Sequence, residues 1–148
     1  MKREPSEYED EVLQIDRVTR VVKGGRRLRF RATVVVGNKN GKVGIGMGKS
    51  NEVVGAIQKA IRQAKKDLVV VPIKNGTIPH EIKVKYKSAR ILLMPASLGT
   101  GVIAGGAVRK IAELCGIKNI LSKMIGGSNK ITNAKATMVA LARLRTHQ

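Results

Sequence analysis

The sequence predicts an α+β fold in two halves, a β-β-β-α unit followed by a β-α-β-type unit, and three observations carry that prediction. Leu28, Phe30, Ala32, Val34 and Val36 alternate with Arg29, Arg31 and Thr33, the period-two pattern of a strand with one buried face and one basic face. Val53, Ile57, Ala60, Ile61, Ala64 and Leu68 then recur at helical spacing, with Lys59, Arg62, Lys65 and Lys66 opposite them. After Pro72, Lys74-Asn75-Gly76-Thr77 reads as a linker, and strands and helices resume beyond it. The expected boundaries are an acidic, flexible tail over 1–10, a first domain over 11–74 and a second over 78–148.

Taken in order, structure is expected to begin near Val12. Val12, Leu13, Ile15, Val18, Val21 and Val22 predict an extended strand, closed by a Lys23-Gly24-Gly25-Arg26 turn that needs positive φ. Gly37 to Gly41 forms a hairpin turn into a third, glycine-thinned strand at Lys42 to Met47. Ser50 is the expected N-cap of the helix, with Glu52 complementing its dipole. Val69 to Val71 is a short strand ended by Pro72. In the second half, strands are expected at Glu81 to Tyr86 and Ala89 to Met94. Gly99 to Gly106 then leads into a helix from Ala107 to Leu114, ended at Cys115-Gly116. A short strand or turn over Ile117 to Met124, a loop at Gly126 to Asn129 and a helix from Asn133 to Leu144 complete the chain, with Val139, Leu141 and Leu144 facing its core.

Charge is the strongest functional signal. Residues 17–148 hold four acidic side chains, Glu52, Asp67, Glu81 and Glu113, against 27 Lys and Arg, a net charge of +23, while the first sixteen residues hold most of the acid. Such a body attracts a polyanion. A membrane is the weaker partner, because nothing reads as a lipid anchor, a secretory signal or a long basic amphipathic helix, and the 18 uncharged residues from Ile91 to Val108 are interrupted by Pro95 and four glycines. Single-stranded nucleic acid is disfavoured too: the aromatics are Tyr8, Phe30 and Tyr86, too few and too scattered for a stacking platform. Phosphates and riboses of folded RNA, recognised by shape, remain.

The 148 residues, 43% of them hydrophobic, suffice for one ordinary domain or two small ones sharing an interface. The lone Cys115 precludes an intramolecular disulfide, and with two histidines the chain has poor material for a structural zinc site. The acidic N-terminus does not read as a transit peptide.

Several motifs invite enzymatic readings and fail. Gly44 to Ser50 resembles a phosphate-binding loop, yet the required first glycine falls at Val43 and no Walker-B-type aspartate follows. Gly99-Thr100-Gly101-Val102-Ile103-Ala104 fits a dinucleotide fingerprint but lacks the acid some twenty residues on, so packing glycines are the better reading. His80 and Cys115 as a nucleophile pair are set aside as a turn residue and a core residue. No catalytic residue, cofactor or metal is expected. As an RNA contact, Gly46, Gly48 and Lys49 before a helix would offer backbone amides and a cation to a phosphate. A second contact is the hairpin bearing Arg17, Arg20, Lys23, Gly24, Gly25, Arg26, Arg27, Arg29 and Arg31, whose guanidiniums suit bidentate phosphate binding around a glycine tip.

Five segments together resemble one family: Arg17 to Arg26, Val35-Val36-Gly37, Val43 to Lys49, Ile78-Pro79-His80 and Pro95 to Arg109. They are similar to the fifth protein of the small ribosomal subunit in its bacterial and organellar form, over about Val12 to Leu144. The resemblance implies an N-terminal domain like the double-stranded-RNA-binding fold without its first helix. It implies small-subunit rRNA and the fourth and eighth proteins of that subunit as partners, on the side where messenger RNA enters. Lys23 to Arg26 matches a loop that reaches rRNA near the head and neck. Gly99, Gly101, Gly105, Gly106 and Arg109 match the region facing the fourth protein, where family variants loosen decoding. Met47 stands where an aromatic is common, and the chain stops at Gln148 where many relatives continue. The Gly126 to Lys130 loop and the Leu141 to Thr146 ending lean towards cyanobacterial and plastid members, implying a ribosome in bacterial cytoplasm or plastid stroma. The rivals are a free double-stranded-RNA-binding regulator and a nucleotide-using enzyme built on Gly44 to Ser50.

Overall fold

The computed structural model describes residues 8–126 and 129–145. Two four-stranded sheets and three helices follow one another as β1 Glu9–Val22, β2 Gly25–Gly37, β3 Lys42–Ser50, α1 Val53–Lys66, β4 Val69–Val70, β5 Ile82–Tyr86, β6 Ala89–Pro95, β7 Val102–Ile103, α2 Gly106–Cys115, β8 Ile120–Gly126 and α3 Lys130–Ala142. The first sheet is antiparallel, in the order β1-β2-β3-β4; the second runs β5-β6-β8-β7, with β7 parallel to β8. This is the α+β architecture expected. Of the expected tail, residues 1–7 lie outside the described region, while Glu9 and Asp10 already pair with Gly37 and Val36. Gly127 and Ser128 of the expected loop also lie outside it.

The half-buried reading of β2 needs correction. Ala32, Val34 and Val36 pack on Ala56, Ala60 and Ala64 of α1, as alternation predicts. Val35 on the other face is also fully buried, because the second half of the chain lies against it. One core therefore joins Leu13, Val35, Val43 and Val71 of the first half to Ile78, Ile111 and Leu141 of the second. Leu13 reaches it through a bulge: Val12 pairs with Val34 and Gln14 with Thr33, leaving Leu13 between them.

The joint between the halves is made of backbone. The last carbonyls of α2 lack intrahelical donors, and the β2–β3 turn supplies them: Lys39 N–H donates to Leu114 O and Gly41 N–H to Cys115 O, both at 2.8 Å. Such proximity needs glycine. A Cβ at Gly37 would overlap the Leu114 carbonyl, and one at Gly116 the Lys39 carbonyl. The expected linker is likewise a tight turn, with Lys74 bridged to Thr77 and Gly76 O accepting from Lys118 N and Asn119 N at 2.9 Å.

Helix starts differ from expectation at two places. Ser50 ends β3 and is not the cap of α1; Glu52 holds that position without a side-chain cap bond. Helix α3 starts at Lys130, before the expected Asn133, because the Asn129 side chain accepts from Ile131 N and Thr132 N at 2.9 and 3.2 Å. It packs across β5, β6 and α2 with Ala134, Met138 and Leu141 buried.

The glycines of β3 have a packing role. Gly44, Gly46 and Gly48 face α1, and a Cβ on them would collide with the carbonyls of Ala64, Ala60 and Ala56 in turn. Gly46 and Gly48 therefore leave the set of phosphate contacts, since both are buried under a helix. The Gly-x-Gly-x-Gly spacing matches one strand face to one helix stripe of alanines. Gly46→Ala should cost about 1–3 kcal/mol by overpacking, whereas Gly105→Ala, with φ −92° and open space around its Cβ, should stay within about 0.5 kcal/mol. Denaturant midpoints of the two variants check this.

Candidate nucleic-acid interface

Beyond its pairing with β3, the β1–β2 hairpin runs on alone. Strand β3 ends at Ser50, opposite Phe30, while β1 and β2 stay paired from Arg17–Phe30 out to Val22–Gly25. Five further steps at about 3.4 Å, plus the turn, make a two-stranded ribbon of about 20 Å. Its tip is open: Gly24 has φ +103°, and nothing lies within 4 Å of a Cβ built there. Residues directly opposite in an antiparallel pair share a face, so the register sorts the cations.

One face carries Arg20 opposite Arg27 and Val18 opposite Arg29, above an Asp16–Arg31 pair. Arg31 lies opposite Lys49, so Lys49 belongs to the same face, not to a loop at the start of α1. The other face carries Arg17 opposite Phe30, Thr19 opposite Leu28 and Arg26 opposite Val21. Val21 is 79% exposed and Leu28 42%. The ribbon thus has a guanidinium face and a mixed face with two arginines among aliphatic side chains; Lys23 stands at the turn. Arg31 differs from the rest: it donates to Asp16 at 2.9 Å and anchors the ribbon's base. The Gln14 amide and the Arg31 guanidinium hold the Asp16 carboxyl below its ordinary range. That stabilisation is present above the ordinary carboxylate pKa and is lost as pH falls through the lowered value.

The second candidate region is the loop before α2. Gly99, Gly101, Gly105 and Gly106 meet no atom within 4 Å of a built Cβ, so they do not pack inside this chain as the sequence suggested. Gly99, Gly101 and Gly106 instead adopt positive φ of 91°, 80° and 43°. Gly101 N donates to the buried Asn119 Oδ1 at 2.9 Å, which ties the loop to the joint. Leu98, 88% exposed, and Ile103, 53% exposed, flank these glycines. Arg109 stands on the surface of α2, paired with Glu113 at 3.0 Å.

Sequence reasoning missed the cations of the second sheet, Lys83, Lys85, Arg90 and Lys123, all exposed. The Lys83-Val84-Lys85 alternation was the available signal.

Among the described residues no catalytic constellation assembles. Cys115 is fully buried, and burial pushes its thiol up to about 12. The His80 ring is held by backbone, Nδ1 at Glu81 O and Nε2 accepting from Arg145 N at 3.0 Å. The glycines of the phosphate-loop look-alike lie in β3. A cleft of about 980 Å³ between the halves is lined by Lys39, Asn40, Asn75, Thr77, Ser97 and Lys118 among others, with no acid or histidine for proton transfer. Among the described residues no group of His, Cys, Asp and Glu could hold a metal, and no helix is long and apolar enough to cross a membrane.

The described residues form a basic α+β body with an arginine ribbon, and no acid–base or nucleophilic site is assembled among them. Comparison with known proteins gives the family. Residues 8–72 match the model for "Ribosomal protein S5, N-terminal domain" and residues 84–148 that for "Ribosomal protein S5, C-terminal domain". The chain is 49% identical over 146 residues to small ribosomal subunit protein uS5 of Acaryochloris marina (strain MBIC 11017), covering 98% of this chain and 82% of the relative. It is 47% identical over 147 residues to small ribosomal subunit protein uS5c of Rhodomonas salina, covering 99% and 88%. The chain belongs to the ribosomal protein S5 family, whose members are structural, non-enzymatic components of the ribosome.

A thiol so deeply enclosed should be inert: alkylation of Cys115 by iodoacetamide at pH 8 should be undetectable in the folded chain and complete in denaturant, read by mass spectrometry.

Proposed function

We propose that this chain, a structural constituent of the small subunit in a ribosome of bacterial or plastid type, clamps folded rRNA with the β1–β2 ribbon. The observation that carries this reading is the register, which places Arg20, Arg27 and Arg29 beside Lys49 on one unobstructed face. Guanidiniums at that density form bidentate phosphate bonds, and an open glycine tip lets RNA backbone come close. Arg17 and Arg26 extend the contact on the mixed face, where aliphatic side chains can meet riboses.

The Gly99–Arg109 loop serves as the surface for the fourth small-subunit protein. Open glycines in positive φ leave room for a partner's backbone, and Leu98 offers it apolar contact. A contact whose strength differs between open and closed subunit states biases their populations, which is how such a loop would act on decoding. The eighth protein and the incoming messenger RNA complete the proposed surroundings.

Replacing Arg20, Arg27 and Arg29 with Gln should weaken binding to an rRNA fragment and reduce the salt slope by about one unit per residue. An unchanged slope would remove the ribbon from the phosphate contacts. Arg109→Leu should raise misreading in a reporter while sucrose-gradient profiles show the protein still assembled; unaltered misreading would remove the loop from decoding.

A further inference from the structure

We propose that the outward face of the β5-β6-β8-β7 sheet is a second RNA-binding surface, suited to the shallow minor groove of duplex RNA. This deepens the reading of the chain as an RNA clamp and rests on it. Helices α2 and α3 cover only one face of that sheet, burying Val84, Ile91, Leu93 and Ile120. The register gives the opposite face in three rows. Lys83, Leu92 and Lys123 form the central row, and Lys85, Arg90 and Ile125 lie on one side of it. On the other side are Met94, Leu121 and Ile103.

An antiparallel sheet with one solvated face normally alternates apolar-in and polar-out. Here Leu92, Met94, Leu121, Ile103 and Ile125 point outward, and Ile103 and Ile125 are more than half exposed. Strands β5, β6, β7 and β8 contain no acidic residue, and every charged side chain on them is a cation. An occupant must therefore be anionic and still present apolar surface. Duplex RNA does both, with phosphates along two edges and riboses between them. Lys83 and Lys123 stand on either side of Leu92, separated by two interstrand spacings, about 10 Å. Their side chains can splay towards the two backbones that border a wide, shallow groove, while Leu92 lies against the sugars. With no aromatic on this face, stacking of single-stranded bases is not what it offers.

The test uses the full chain and a synthetic RNA hairpin, with a DNA hairpin of matching sequence as comparison. Three variants are needed: the sheet-face K83Q/K85Q/R90Q/K123Q, the ribbon R20Q/R27Q/R29Q, and Leu92→Glu, which keeps the cations. All substituted side chains are at least partly exposed, so unchanged circular dichroism and thermal midpoints verify folding. The sheet-face variant should bind the RNA hairpin about tenfold or more weakly, with a salt slope lower by roughly 3 to 4. Leu92→Glu should lose the preference for RNA over DNA. If the sheet-face variant binds RNA as the unmodified chain does while the ribbon variant fails, the second surface is overturned and the ribbon clamp stands. The reverse pattern overturns the ribbon and keeps the sheet. If the sheet-face variant keeps its RNA affinity yet leaves the small subunit on a sucrose gradient, the face is a protein contact and the proposal falls. Failure of the unmodified chain to bind the hairpin at low salt overturns it as well.

Discussion

Two amides of the β2–β3 turn, at Lys39 and Gly41, cap the last carbonyls of α2, and the relative position of the two halves depends on that contact. Each carbonyl left without a donor in a buried joint would cost about 1–3 kcal/mol. Gly116 and Ile117 cap the Ala112 and Glu113 carbonyls from within the chain's own helix end, and the turn completes the cap at Leu114 and Cys115 from a distant part of the chain. Gly37 and Gly116 permit the approach, and the apolar core around Val35, Ile111 and Leu141 closes over it. An ion pair between Glu11 and Lys110 spans the same seam at 3.5 Å, and one between Glu9 and Lys39 ties β1 to the turn at 2.9 Å. Exposed as they are, each adds at most about 1 kcal/mol.

The same joint frees the ribbon. With the first sheet held between α1 and the second half, all of its apolar burial is concentrated where β3 runs beside β2. Beyond Phe30 neither a helix nor a third strand accompanies the hairpin among the described residues, and it continues as a basic arm whose aliphatic residues stay exposed. The ribbon is thus supported at one end and exposed at the other. The Asp16–Arg31 pair sits at the junction between these regimes.

Much of this fold was legible in the chain. Strict alternation from Leu28 to Val34 marks β2, and the Val53 to Leu68 spacing marks α1, because local periodicity survives any tertiary arrangement. The Lys23 to Arg26 turn was legible from glycine's access to positive φ. What escaped was everything set by a non-local neighbour. Alternation labels one face of β2 as apolar but cannot reveal that a second layer covers the other. From the sequence Asn129 belongs to a loop, because a cap is recognised only once the helix it caps is placed. The two-residue β7 carries too little pattern to separate it from the glycines around it.

Glycine illustrates the division best. Gly46 and Gly105 are the same residue in equally glycine-rich stretches, yet one is pressed against the Ala60 carbonyl and the other faces open space. The sequence by itself determined the charge, the absence of a stacking platform, the strand and helix periods and hence an α+β body drawn to RNA, since these follow from composition and local spacing. Only the tertiary structure decided which glycines pack and which stay open. It also decided which cations share a face and where the hairpin leaves the sheet, because those properties depend on where neighbouring elements end.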